Sequence, residues 1–217
     1  MNGRWPGVVA AVALALADSG SAQTVRLALL ASGGDYREQS AALSFDGAGV
    51  TGQLEIRKGR FRISARGARL EFNRAELAAA DIEDFEQREL DLTGSVRLVS
   101  VVSIEAGALR RWVAPERAAQ AVSVGRIGLR GDYPIAPGAD GNLRVAALGG
   151  ARFSGQGTAK LGIGLGFGLS YGARRRGVRM VIDYDFVRLD RETTGAAGLV
   201  SVPVQSSIAR VGVALLF

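Results

Sequence analysis

Leu161-Gly-Ile-Gly-Leu-Gly-Phe-Gly-Leu-Ser-Tyr171 decides the fold. Every second residue is large and apolar, and the residues between them are glycine or serine. A period of two is the β-strand repeat, because successive side chains leave a strand on opposite faces. The same repeat closes the chain, where Ala209, Val211, Val213, Leu215 and Phe217 share one side and Arg210 and Gly212 the other. Between these stretches, Val178, Met180, Ile182, Tyr184 and Phe186 oppose Arg179, Asp183 and Asp185. Upstream, Leu143, Val145, Ala147, Gly149, Ala151 and Phe153 oppose Arg144, Gly150 and Arg152.

The first half alternates less cleanly. Val25, Leu27, Leu29 and Ala31 oppose Arg26, Ala28 and Leu30, and Val50, Gly52, Leu54 and Ile56 oppose Gln53, Glu55 and Arg57. Leu90, Leu92, Gly94 and Val96 oppose Asp91, Thr93 and Ser95, and Ile104 opposes Glu105. The segments predicted as strands are 24–32, 48–57, 60–72, 88–98, 102–112, 121–133, 142–153, 159–172, 177–188 and 207–217, about ten in all, with eight as the alternative. Lengths of about 9–13 residues suit tilted strands that cross a membrane. Short links such as Lys58-Gly59 alternate with long polar ones at 33–47, 73–88 and 190–205. That alternation is the pattern of periplasmic turns and external loops. Segment 60–72 breaks the pattern, because Leu70 and Phe72 have the opposite parity to Phe61, Ile63 and Ala65. A bulge near Gly67 would restore the phase, and without one Arg66 or Arg69 would face lipid.

Residues 1–22 read as a cleaved signal peptide: Arg4, then the apolar run from Val8 to Ala17, then Gly20-Ser21-Ala22. Cleavage after Ala22 leaves one barrel domain, 23–217. The chain of 217 residues has no cysteine and a net charge of +6. Disulfides therefore do not hold it together. Its basic residues are scattered along alternating positions, which argues against a nucleic-acid surface.

Four stretches resemble the small outer-membrane β-barrels of the outer-membrane protein A-like superfamily. They are Asn142-Leu-Arg-Val-Ala-Ala-Leu-Gly-Gly-Ala-Arg-Phe153, Leu161–Tyr171, Met180-Val-Ile-Asp-Tyr-Asp-Phe186 and Val211-Gly-Val-Ala-Leu-Leu-Phe217. The resemblance implies an all-β, antiparallel, up-and-down transmembrane barrel in the bacterial outer membrane. It implies that the last strand, through Val211, Val213, Leu215 and Phe217, is read by the barrel-insertion machinery. The expected surroundings are outer-membrane lipid and lipopolysaccharide, and the expected state is a monomer with no nucleic-acid partner. Two aromatic girdles are expected, with Phe61, Tyr133, Tyr171 and Phe217 at the periplasmic rim and Phe72, Trp112, Phe153, Tyr184 and Phe186 at the outer one.

Function is bounded mainly by a missing residue. There is no histidine, so the histidine bases of outer-membrane lipases, acyltransferases and proteases have no counterpart. His/Cys metal sites are excluded as well. The expectation is a non-enzymatic protein with no cofactor and no metal. The run Gly162, Gly164, Gly166, Gly168 is strand alternation, not a nucleotide-binding loop, and makes room for arginines. The lumen candidates are Glu55, Arg57, Arg62, Asp91, Arg97, Glu105, Arg126, Arg130, Arg144, Arg152, Arg179, Asp183, Asp185 and Arg210. Such charges persist in a narrow bore only when paired, hydrogen-bonded or wetted. The expected role is a structural or surface-interaction barrel whose lumen is filled by ion pairs. A small anion-preferring pore and an exported lipocalin-like binder are the alternatives.

Overall fold

A computed structural model describes residues 23–38, 43–74, 84–115, 118–155, 157–174, 176–195 and 198–217. The signal segment 1–22 and the acidic residues Glu76, Asp81 and Glu83 lie outside them. Ten antiparallel strands form one closed barrel: β1 (Gln23–Glu38), β2 (Leu43–Lys58), β3 (Phe61–Arg74), β4 (Phe85–Arg97), β5 (Val102–Pro115), β6 (Val122–Ala136), β7 (Ala139–Phe153), β8 (Thr158–Gly172), β9 (Gly177–Gly195) and β10 (Gly198–Leu216). Each strand pairs with its neighbours in sequence, and β10 returns to β1 with Leu29 opposite Val213. Closure leaves no strand edge unpaired, the condition for a sheet to cross lipid. Ten strands, not eight, complete the barrel.

Two of the tight turns are set by local chemistry. Gly59 (φ 58°) opens the two-residue link between β2 and β3, a position that favours glycine. Pro137-Gly138, with Gly138 at φ 78°, joins β6 to β7. Proline followed by a left-handed glycine is the composition of a type II turn.

The outer face carries an apolar belt. Leu27, Leu29, Ile63, Leu92, Ile104, Ile127, Val145, Leu165, Ile182 and Val213 are exposed around its circumference. The inner face at the same level is charged. A barrel with apolar residues outside and charges inside is built to stand in lipid.

The strands run further than the alternation of apolar residues suggests. Residues 33–38, 43–47, 85–87, 190–195 and 198–205 were expected in long loops, yet they continue the ladder. In these extensions the polarity of the wall is reversed. Asp35, Arg37, Asp46, Glu71, Glu86 and Arg88 face out, and Tyr36, Phe45, Leu70, Phe72 and Phe85 face in. This resolves β3. Its register runs unbroken from Phe61 to Arg74, so Gly67 is not a bulge. Arg66 points into the lumen, and Arg69 points out above the belt, 2.7 Å from Glu86.

A real irregularity lies in β7. Gly150 (φ 64°) sits where β7 shifts register against β6, and β8 shifts against β9 between Ala159 and Gly162. The extra residue turns Ala151 and Phe153 inward and puts Arg152 on the outer surface. Arg152 is therefore not a lumen residue. Phe72 and Phe153 likewise leave the expected outer girdle for the interior, and Trp112, Tyr184 and Phe186 remain outside. The periplasmic girdle of Phe61, Tyr133, Tyr171 and Phe217 is on the outer face.

The chain has no native cysteine, so single cysteines report this bulge directly. Arg152→Cys should react with a membrane-impermeant maleimide in the folded barrel, and Ala151→Cys only after denaturation. Equal labelling of both would show that β7 lacks the phase change.

Candidate functional site

The lumen divides into three layers along the barrel axis. The middle layer is centred on Asp185 of β9, whose carboxylate meets three arginines. Arg66 Nη1 lies 2.5 Å away, Arg210 Nη1 2.6 Å and Arg144 Nη2 2.7 Å. These side chains come from β3, β10 and β7 respectively, so one carboxylate ties distant walls together. Asp91 extends the network, with Arg66 at 3.0 Å and Arg126 at 2.7 Å. Thr93 Oγ1 donates to Asp91. Arg126 also reaches Glu105 at 3.5 Å. Arg210 Nε donates to Thr51 Oγ1, which is 2.7 Å from Ser32 Oγ.

The glycines of β8 explain how the network fits. Gly166 lies in register between Arg144 on β7 and Asp185 on β9. A Cβ there would sit 2.7 Å from Arg144 Nε and 2.8 Å from Asp185 Oδ1. The arginine crosses to its carboxylate over the bare backbone of the glycine strand. Gly168 is placed likewise between Asn142 and Asp183.

The external layer is apolar. Tyr36, Phe45, Phe72 and Phe85 form an aromatic cluster completed by Leu70, Val113, Val204 and Ile208. Phe72 and Phe85 stack at 5.0 Å, and Phe45 meets Phe85 edge-on at 5.0 Å. Each such pair contributes about 0.5–1.5 kcal/mol beyond burial. Gly47 leaves space for Phe72, since a Cβ would lie 2.7 Å from its ring. Leu109, Val122, Val124, Leu148, Ala151, Phe153, Ala159 and Leu189 form a second cluster from the other strands. The Arg111–Glu89 ion pair (3.0 Å) belongs to the same half of the bore. Ion pairs therefore do not fill the whole lumen; toward its external end the two apolar clusters take up much of the interior.

The periplasmic layer holds Glu55, Arg57, Arg62, Arg130, Asp132, Asp140 and Arg179. Glu55 accepts from Arg57 at 2.6 Å, and Asp132 from Arg62 at 2.7 Å and Arg130 at 2.9 Å. Arg179 reaches Asp140 at 2.5 Å and the carbonyls of Ala173, Gly138 and Ser170. All of these except Arg62 line a vestibule of about 290 Å³ at the turn end of the barrel. Deeper spaces among the ion pairs measure about 40 and 20 Å³, room for a few waters at most.

Of the expected lumen set, the network joins Glu55, Arg57, Arg62, Asp91, Glu105, Arg126, Arg130, Arg144, Arg179, Asp185 and Arg210. Asp183 is buried in the lumen without an ion pair among the described residues, and Arg97 stands exposed at the turn end of the barrel. Arg66, Glu89, Arg111, Asp132 and Asp140 complete the network and lie outside the expected set. The signal for Arg66 was its even parity with Arg62 and Ser64.

On the outer wall, Glu86 sits between Arg69 and Arg88, which are cross-strand partners. The hydrogen bond from Arg88, and the charge of Arg69, hold the Glu86 carboxyl below its ordinary range. Arg110 lies over the ring of Trp112 at 4.8 Å.

The fold, by its own geometry, is that of a small outer-membrane β-barrel. Similar solved structures include the translocator domain of autotransporter NalP from Neisseria meningitidis (TM-score 0.45, 13% identity, covering 97% of this chain and 94% of that one). Neisserial surface protein A is similar with TM-score 0.43 and 15% identity, covering 91% and 99%. The outer membrane protease OmpT from Escherichia coli has TM-score 0.49 and 11% identity, covering 93% and 99%. No family model matches the chain, and no curated protein matches it by sequence.

Asp185→Asn should cost about 3–5 kcal/mol in reversible urea unfolding from lipid vesicles, the range for breaking a buried ion pair. Asp183→Asn, at a position more deeply buried but without an ion pair among the described residues, should cost markedly less. Equal losses would mean that the three-arginine centre carries no special weight.

Proposed function

We propose that the chain is a non-conducting structural barrel of the bacterial outer membrane that presents its strand extensions at the cell surface. The observation that carries this reading is the external apolar layer. A pore needs a continuous wet path, and the aromatic cluster around Phe72 and Phe85 occupies the outer end of the bore. The arginine surplus would favour anions only if water passed. A catalytic role has little support in a chain without histidine, whatever the protease activity of a protein with a similar outline.

Lipopolysaccharide is the partner this reading assigns to the outer wall. Arg69, Arg88, Arg110 and Arg152 lie on the outward faces of β3, β4, β5 and β7 above the apolar belt. That is the level of the anionic headgroups of the external leaflet, where guanidinium groups bind phosphate through paired hydrogen bonds. The lipid-facing residues Val211, Val213, Leu215 and Phe217 of the closing strand are the segment assigned to the barrel-insertion machinery.

In planar bilayers the heat-modifiable, folded protein should be silent. Regular conductance steps would replace the closed barrel with the anion-pore reading. The double variant Arg110→Glu/Arg152→Glu should retain heat-modifiability and carry several-fold less lipopolysaccharide through purification. Unchanged carriage would remove the outer wall from the binding account.

A further inference from the structure

The vestibule at the periplasmic end has a different charge balance from the rest of the lumen. Five arginines line it, namely Arg26, Arg57, Arg130, Arg174 and Arg179, against the carboxylates Glu55, Asp132 and Asp140. Each carboxylate is already engaged. Glu55 is held by Arg57, Asp132 by Arg62 and Arg130, and Asp140 by Arg179.

Arg26 is left over. It makes no ion pair or hydrogen bond with any described residue, and its Nε is buried without a protein partner. Glu55 stands opposite it in register on β2 but is held by Arg57, and Asp183 shares a small adjoining space with it. A guanidinium directed into a wet cavity, with no carboxylate of its own, is a donor set awaiting an acceptor. The 290 Å³ of the vestibule exceeds what a few waters need, and accepts a group the size of phosphate or a small carboxylate.

We infer that this vestibule is a periplasm-facing oxyanion site, with Arg26 as its primary donor and Arg130 and Arg179 framing it. The ligand chemistry is a phosphate or carboxylate group. It can be supplied by a soluble periplasmic solute or by a phospholipid headgroup at the barrel rim. The site stands whether or not the bore conducts, because it opens only at one end and needs no passage through the external layer.

The test uses the full barrel refolded in an uncharged detergent and titrated with inorganic phosphate by calorimetry at low ionic strength. Saturable binding that weakens at least tenfold in Arg26→Gln, with Arg37→Gln, an exposed outer-wall arginine at the far end of β1, near wild type, supports a soluble ligand. A second arm reconstitutes wild type and Arg26→Gln in phosphatidylcholine vesicles with and without phosphatidylglycerol, and follows a fluorophore on Ala139→Cys, beside the vestibule, in each. A reporter shift that needs phosphatidylglycerol and Arg26, without phosphate binding in detergent, assigns the headgroup as the source. Binding that is equal in wild type and Arg26→Gln, or absent in both arms, overturns the site. Heat-modifiability of Arg26→Gln on a denaturing gel separates loss of the site from loss of the fold.

Discussion

The carboxylate of Asp185, shared by Arg66, Arg144 and Arg210, is the constraint on which the barrel interior depends. Taking charges out of water costs several kcal/mol per ion, and three guanidiniums near one another repel. One acceptor between them turns a repulsive set into a cross-brace from β3 to β7 to β10. Strand number and hydrogen-bonded register set the diameter of the ring. Side chains must then fill and brace the bore, and here they are ionic at the level where the outside is lipid.

The geometry of β8 follows from that requirement. A strand with bulky inner residues would keep Arg144 from Asp185, since they sit on the two strands flanking Gly166. Alternating glycines give up interior packing so that neighbours can meet over them, and the outward Leu161, Ile163, Leu165 and Phe167 keep the strand's lipid contact. The glycine run and the arginine network are one device.

Much of this was legible in the sequence, and the rest was hidden for one physical reason. Strand parity is a property of the backbone and persists along a strand; which face is apolar depends on the solvent. Inside the bilayer span the outer face is apolar, and above it the outer face is polar. Leu70 and Phe72 therefore have the parity of Arg62 and Arg66, not that of Phe61 and Ile63, with no change in register. Reading the polarity change as a break in phase suggested a bulge at Gly67 and cut strands short at 33–47 and 190–205. The true phase change, at Gly150, was masked because Ala151 and Phe153 continue the apolar alternation of Leu143 to Gly149. Lumen charges on β6, β9 and β10 were readable because those strands keep one polarity through the span. Their partners were not, because ion-pair geometry depends on side chains meeting across the barrel.

The choice of cation fits this architecture. Lys58 and Lys160 are the only lysines in the chain, and every cation of the ion-pair network described above is arginine. A lysine can relieve burial by losing its proton, whereas an arginine remains charged and must be answered by an acceptor. A planar guanidinium also serves two carboxylates at once, as Arg66 does between Asp91 and Asp185 and Arg126 between Asp91 and Glu105. The lumen thus has few acids doing the work of many because each arginine bridges. Toward the external end aromatic rings take up much of the bore and need no counter-charge. Toward the periplasm it widens, water can reach the guanidiniums, and a full set of carboxylates is no longer required. The surplus positive charge is found there, around the vestibule.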